Sequence, residues 1–186
     1  MTCIIGIEHK GSIFMGGDSA GIAGWESRAV TDRKVFIRED FIIGYTSSFR
    51  MGQLLQYHLE LPGVNGLETM KAMVQHIVPA IRECLKAGGY AEIDDNKESG
   101  GEFLIGYDGK LFHISEDFSV IRYTDGFAAV GVGAPYALGA LRAKMDKVIT
   151  DPLAAIIEAL VIAESFCMGV SSPFYVLEMK DGMPDV

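Results

Sequence analysis

Cysteine and clustered basic residues are both scarce in this sequence. Its three cysteines, Cys3, Cys84 and Cys167, are odd in number and far apart, so no disulfide framework is expected and a reducing cytoplasm is the simpler location. The formal net charge is −9, and no group of Lys and Arg offsets it locally. Because phosphate recognition needs basic patches, neither nucleic acid nor an anionic membrane surface is expected as a partner.

Long hydrophobic runs and metal-ligand spacings are missing as well. The first residues lack the basic region and long apolar run of a secretory leader. The most apolar helix-like segment, 152–168, is interrupted by Glu158 and Glu164, which favours a buried helix over a membrane span. The four histidines lie in separate predicted elements, so no metal site and no cofactor is expected. The length of 186 residues predicts a single domain over 1–186, large enough to bury its own core.

Apolar runs and turn residues divide the chain into strands and helices. Strands are predicted at 3–9, 12–18, 34–38, 41–46, 102–107, 110–115, 119–123, 127–132 and 173–180. Helices are predicted at 49–61, 67–87, 135–146 and 152–168. A loop that crosses the sheet is predicted at 19–33 and an exposed loop at 90–100. Strands and helices form clusters rather than alternating, which argues against a parallel sheet. The predicted fold is of the α+β class: two antiparallel sheets packed face to face, with a helix pair on each outer side, as an αββα sandwich of four layers.

Three residues at predicted strand ends carry the candidate chemistry. Two short hairpins lying side by side can bring Thr2, Asp18 and Lys34 to one rim of a sheet. If Met1 is removed, Thr2 has a free α-amine with a pKa of about 8 in model compounds, which can take the proton of its own hydroxyl. Lys34 would lower the pKa of that amine and stabilise the alkoxide, while Asp18 would hold Lys34 charged. On spacing alone, an ordinary solvated or paired Lys and Asp is the more common explanation.

Several short segments, in order along the chain, strengthen the chemical interpretation. They read T-C-I-I-G-I, G-G-D-S, D-R-K-V-F, I-I-G-Y-T-S-S and V-G-V-G-A-P-Y-A-L-G-A-L-R-A. In this order the chain resembles the threonine peptidases of the N-terminal-nucleophile hydrolase superfamily, namely proteasome β subunits and the bacterial HslV-type subunit. The resemblance implies that Thr2 is the nucleophile and its amine the base, with Asp18 and Lys34 in support. It also implies that the backbone N–H of Ser47 binds the oxyanion.

The same resemblance implies an assembly and its partners. Members of the family form stacked rings with their active sites on an inner chamber, take unfolded polypeptide as substrate, and work with an ATPase or activator ring. Three positions depart from the family pattern, because Val132, Ser165 and Met168 stand where polar residues usually complete the proton network around the N-terminal amine. Two hypotheses therefore stay open: an active threonine endopeptidase, and a catalytically inactive subunit that forms a ring. A binding module without a chamber is a third, which a monomer or dimer in solution would indicate.

Overall fold

The computed structural model describes residues 1–64, 66–94, 97–145 and 150–180. The strands are β1 (Ile4–His9), β2 (Ser12–Gly17), β3 (Ala20–Ala23), β4 (Glu26–Ala29), β5 (Val35–Arg38), β6 (Phe41–Tyr45), β7 (Glu92–Asp94), β8 (Lys97–Ser99), β9 (Phe103–Tyr107), β10 (Lys110–Ile114), β11 (Val120–Ile121), β12 (Phe127–Val130) and β13 (Tyr175–Lys180). The helices are α1 (Phe49–Tyr57), α2 (Thr69–Ala72), α3 (Val78–Ala87), α4 (Ala134–Met145) and α5 (Pro152–Phe166). A π-helical turn at Met73–Ile77 joins α2 to α3.

Two antiparallel sheets form the centre of the molecule. One has the strand order β12-β1-β2-β13 and the other β11-β10-β9-β6-β5. Every neighbouring pair in them is antiparallel, and the register of β1 places Ile4 opposite both Val130 of β12 and Gly17 of β2. Because Thr2 lies two residues before β1, this register brings the start of the chain beside the ends of β2 and β12.

Alternation of side chains along the strands builds three apolar layers, one between the sheets and one on each outer side. The layer between the sheets includes Ile4, Met15, Ile42, Leu104 and Leu111. The layer under α4 and α5 includes Ile5, Ile7, Phe127, Leu141, Ile156 and Leu160. The layer under α1 and α3 includes Phe36, Phe103, Phe112, Met51, Leu55 and Ile81. The predicted αββα sandwich of antiparallel sheets is thus confirmed.

Both predicted loops were wrong in part. The segment 19–33 contains the hairpin of β3 and β4, in which Ala20 pairs with Ala29, and Gly24 takes a positive φ of 58° at its turn. The segment 90–100 contains the short pair β7 and β8. Both hairpins consist mostly of small or polar residues, with one isoleucine each, so neither has the apolar run by which strands are recognised in a sequence. Asp95, within the second predicted loop, lies outside the described residues.

The helix ends also differ from prediction. The helix predicted at 49–61 ends at Tyr57, where the N–H of His58 closes its last turn on Leu54. The widened turn Met73–Ile77 comes directly before α3, and Pro79 lies in the first turn of α3. The Asp151 side chain caps α5, because it accepts a hydrogen bond from Ala154 N at 3.0 Å. Residue 146 lies outside the described residues.

No helix in the described part of the chain has both the length and the apolar character that crossing a bilayer requires.

Candidate active site

The three central residues of the site lie at strand ends. Thr2 lies two residues before β1, Asp18 directly follows β2, and Lys34 directly precedes β5. Backbone N–H groups fix the Asp18 carboxylate: Cys3 N donates to its Oδ1 at 2.9 Å and Ala20 N donates to its Oδ2 at 2.8 Å. With both carboxylate oxygens anchored to the main chain, Asp18 provides a fixed negative charge beside Thr2.

The Lys34 ammonium joins this carboxylate to the Thr2 hydroxyl. Its Nζ lies 3.1 and 3.0 Å from Asp18 Oδ1 and Oδ2, 2.8 Å from the Ala20 carbonyl oxygen and 3.0 Å from Thr2 Oγ1. Thr2, Asp18 and Lys34 expose only 4%, 1% and 3% of their surfaces. The structure therefore brings together the three residues that the sequence places at strand ends, in a site largely closed to water.

Burial shapes the electrostatics of the site. It lowers the pKa of Lys34, while the charge and hydrogen bonds of Asp18 oppose that shift. Burial, with a smaller contribution from the Asp18 charge, raises the pKa of the neighbouring Cys3 thiol to about 12. Cys3, which packs in the apolar layer under α4 and α5, therefore stays protonated near neutral pH. A cation held beside Thr2 Oγ1 is suited to stabilising negative charge as it develops on that oxygen.

Two glycines form the turn against which Thr2 packs. Gly133 N donates to the Thr2 carbonyl oxygen at 3.2 Å. Gly131 has a φ of 93°, and a Cβ there would stand 2.3 Å from the same carbonyl oxygen, so only glycine fits. The structure includes Met1, whose carbonyl oxygen accepts a hydrogen bond from Thr2 Oγ1. The Thr2 nitrogen is accordingly an amide here, and it can act as a base only once Met1 is removed.

Ser47 lies in the loop between β6 and α1, on the open side of the site. Its φ is 65°, a conformation that suits glycine better than serine. Thr46 anchors the loop, because its N and Oγ1 donate to the Glu102 carbonyl oxygen at 3.1 and 2.7 Å. Ser48 then caps α1 by accepting from Arg50 N at 3.0 Å. Among the described residues, no backbone carbonyl accepts a hydrogen bond from Ser47 N, which leaves that N–H available to a ligand.

A cavity of about 330 Å³ connects these groups. Thr2, Lys34 and Ser47 all line it, and Met1 stands at its edge. The remaining walls come from Ala20, Ile22, Tyr45, Thr46, Ser48, Phe49 and Arg50. A cavity of this size, apolar on some walls and with a few polar groups aimed into it, is typical of a site for a small organic group or a side chain.

The three positions that depart from the family pattern supply no polar group to Thr2 among the described contacts. Val132 is half exposed and packs near Gly169. Ser165 Oγ donates to the Val161 carbonyl oxygen of its own helix at 2.9 Å. Met168 is 92% exposed. The hydroxyl of Thr2 is thus surrounded by polar partners, whereas its amino side is not.

Sequence reasoning missed the main-chain members of the site. The Ala20 carbonyl accepts from Lys34, the Cys3 amide holds Asp18, and the Gly131 turn supports Thr2. A main-chain group has no residue-type signature, so only the G-V-G spacing gave a partial signal. Within the described residues, no three His, Cys, Asp or Glu side chains group as metal ligands would.

Comparisons with known proteins agree with this fold. No protein-family model matches the chain. The solved structure of BPH from Thiobacillus denitrificans is 22% identical, covers 99% of this chain and 100% of its own, and superposes with a TM-score of 0.81. The same protein has also been solved in complex with epoxomicin, at 19% identity and a TM-score of 0.79 over 98% of this chain and 100% of its own. HslV from Trypanosoma brucei is 19% identical over 96% of this chain and 99% of its own, with a TM-score of 0.70.

A curated relative matches at the level of sequence. The ATP-dependent protease subunit HslV of Caldicellulosiruptor saccharolyticus is 38% identical over 69 residues, which is 37% of this chain and only 39% of that protein. The fold of the present chain is that of the N-terminal-nucleophile hydrolases. The shared fold and the partial sequence match together support the resemblance to HslV-type subunits that was drawn from the sequence, which is confirmed to that extent.

Proposed function

We propose that the chain is a threonine-type endopeptidase subunit of the HslV and proteasome type, which cleaves unfolded polypeptide with Thr2 after Met1 is removed. One observation carries the proposal: Lys34 Nζ lies 3.0 Å from Thr2 Oγ1 while Asp18 holds it from behind, all three side chains being buried. A solvated surface Lys and Asp would have neither the burial nor the shared contact with a threonine hydroxyl.

The proposed reaction uses groups of this chain alone. The free Thr2 amine takes the hydroxyl proton, and Oγ1 attacks the carbonyl carbon of the scissile peptide bond. Ser47 N–H donates to the oxyanion of the tetrahedral intermediate, and the Lys34 charge stabilises Oγ1. Collapse breaks the C–N bond, and the Thr2 ammonium gives its proton to the leaving amine. Water, deprotonated by the same amine, then hydrolyses the ester on Oγ1 and releases the second product.

A second candidate function is a catalytically inactive subunit that forms a ring. Its support is the amino side of Thr2, where Val132, Ser165 and Met168 offer no hydrogen-bond partner in the described contacts. Both candidates share an assembly, which we propose from the family likeness: a single domain over 1–186, stacked into homo-oligomeric rings in the cytoplasm, with an ATPase or activator ring as a further partner.

Peptide cleavage and particle mass together separate the candidates. Protein with Met1 removed is incubated with short fluorogenic peptides, which need no unfolding, beside the variant Thr2→Ala, while light scattering gives the mass of the particle. Cleavage that disappears in Thr2→Ala supports the endopeptidase. A ring-sized particle without cleavage supports the inactive subunit, and a monomer or dimer without cleavage contradicts both.

A further inference from the structure

Glu102 connects the two turns that flank Thr2. It lies just before β9, and its main-chain carbonyl accepts both the N–H and the hydroxyl of Thr46, the residue before Ser47. Its side chain reaches to the other sheet, where Gly131 N donates to Glu102 Oε2 at 3.3 Å. One residue therefore links the loop that carries the proposed oxyanion donor to the turn that packs on the Thr2 carbonyl.

A histidine and a tyrosine hold the Glu102 carboxylate from its other side. His113 Nε2 lies 3.0 Å from Glu102 Oε1, and His113 Nδ1 lies 2.9 Å from the Tyr123 hydroxyl. The His113 and Tyr123 rings also stack, with centroids 5.9 Å apart, and the His113 side chain is only 12% exposed. The carboxylate is thus restrained at both oxygens, unlike a freely rotating surface glutamate.

The position of Gly131 connects the Glu102 side chain to Thr2. Its backbone stands so close to Thr2 that a Cβ would clash with the Thr2 carbonyl. Gly133 of the same turn donates to that carbonyl at 3.2 Å, so the turn and Thr2 are in direct contact. Val132, next in the chain, contributes no polar contact to the turn. Among the described contacts, the side-chain group that accepts a hydrogen bond from this turn is therefore the Glu102 carboxylate.

We propose that Glu102, held by His113, is a positioning residue that sets the distance between Thr2 and the Ser47 loop. This inference rests on the proposed function, in which Thr2 attacks while the Ser47 N–H receives the oxyanion. The Glu102 carboxylate does not touch the reacting atoms; it acts through Gly131, and its main chain acts through Thr46. Its loss should therefore slow the chemical step without weakening the binding of a substrate in the cavity.

The test compares variants that differ in the hydrogen-bond acceptor but little in size. Glu102→Met removes the acceptor, and Glu102→Gln keeps a carbonyl oxygen for Gly131 N. Glu8→Met is the matched control: Glu8 also accepts a main-chain N–H from the opposite sheet, Leu111 N at 2.8 Å, and pairs with Arg122. Glu8 stands near the far end of β1, so its loss removes an equivalent contact far from Thr2.

Rates of covalent labelling by epoxomicin, followed by intact mass, give the first readout. Glu102→Met is expected to lower the maximal labelling rate about 10- to 100-fold, with the half-saturating epoxomicin concentration unchanged. Glu102→Gln should recover most of the rate, and Glu8→Met should match the unmodified chain. Equal rates for Glu102→Met and Glu8→Met, or a change in half-saturation alone, would overturn the inference.

Hydrogen exchange of the main chain gives a readout that does not need activity. Glu102→Met should accelerate exchange at residues 131–134 and 46–48 about tenfold or more, whereas Glu8→Met should leave both segments unchanged. If epoxomicin does not label the unmodified chain at all, the proposed function fails. Hydrogen exchange alone then tests whether Glu102 positions the two segments. Unchanged exchange in both segments overturns that role whatever the labelling result.

Discussion

The two sides of Thr2 differ in polarity and in burial. On the hydroxyl side, Asp18 and Lys34 are buried and bonded to one another and to the main chain. On the amino side, Val132 and Met168 are exposed. The hydroxyl side is formed by residues between 2 and 34, close together in sequence, and the amino side by a turn and a helix end far along the chain. A chain of this fold can therefore keep one half of the site while the other half changes.

The largest effect is expected from breaking the hydroxyl side. Lys34→Met removes the cation beside Thr2 Oγ1 and should lower the rate of epoxomicin labelling on the order of 10⁴-fold. It also leaves the buried Asp18 carboxylate without its cation, which should reduce the free energy of unfolding by about 3 kcal/mol. Urea denaturation measures the second effect.

The double variant Lys34→Met/Asp18→Asn separates the two effects. Removing the uncompensated charge should restore most of the stability, while labelling stays lost. Labelling that returns together with stability would show that Lys34 only supports the fold.

Cys3 reports how well the apolar layer under α4 and α5, next to Thr2 in the chain, excludes water. Because burial raises the pKa of its thiol to about 12, its thiolate fraction at pH 8.5 should be about 10³-fold below that of an ordinary cysteine. Iodoacetamide at that pH should modify the partly exposed Cys167 and leave Cys3 intact, as peptide mass mapping can show. Equal modification of both in the folded protein would contradict the exclusion of water from this layer.

The converse experiment adds a polar group on the amino side. Val132→Ser places a hydroxyl in the turn next to Thr2 and should raise the labelling rate about tenfold, within the range attributed to supporting hydrogen bonds. Ser165→Ala is the control, since Ser165 Oγ bonds to its own helix, and it should change nothing. A slower Ser165→Ala variant, with no gain in Val132→Ser, would reverse the assignment of the two positions.

The smallest effect concerns the strained loop. Ser47→Gly keeps the N–H and relieves a φ of 65°, so it should stabilise the fold by about 1 kcal/mol and leave labelling within a few-fold. Glu39→Gly relieves a similar φ of 51° in the turn between β5 and β6 and should give the same gain. A Ser47→Gly variant that gains stability but loses labelling would show that the Ser47 hydroxyl takes part in the reaction.

The sequence predicted those parts of the fold that apolar side chains determine. The strands of both central sheets have clear apolar patterns, and the layered sandwich follows from them. The β3–β4 and β7–β8 hairpins were missed because their short strands lack the apolar run by which strands are recognised in a sequence. The π-helical turn before Pro79 had no signature beyond the proline itself.

The sequence likewise predicted the side chains of the site but not its main-chain groups. Thr2, Asp18 and Lys34 could be placed together because each stands at a strand end, and the structure brings them within hydrogen-bonding distance. Their chemical roles, and that of Ser47, stay predictions. The Ala20 carbonyl and the packing of Gly131 on Thr2 depend on the register between strands, which residue types alone do not reveal.

Covalent capture of Thr2 tests the central claim most directly. Protein purified with Met1 removed is treated with epoxomicin, and intact mass followed by peptide mapping locates the adduct, beside Thr2→Ala and Lys34→Met. The account predicts one adduct per chain, on Thr2, absent from Thr2→Ala and strongly slowed in Lys34→Met. A free Thr2 that never forms the adduct, in a folded protein with the trio intact, would contradict it and leave an inactive subunit.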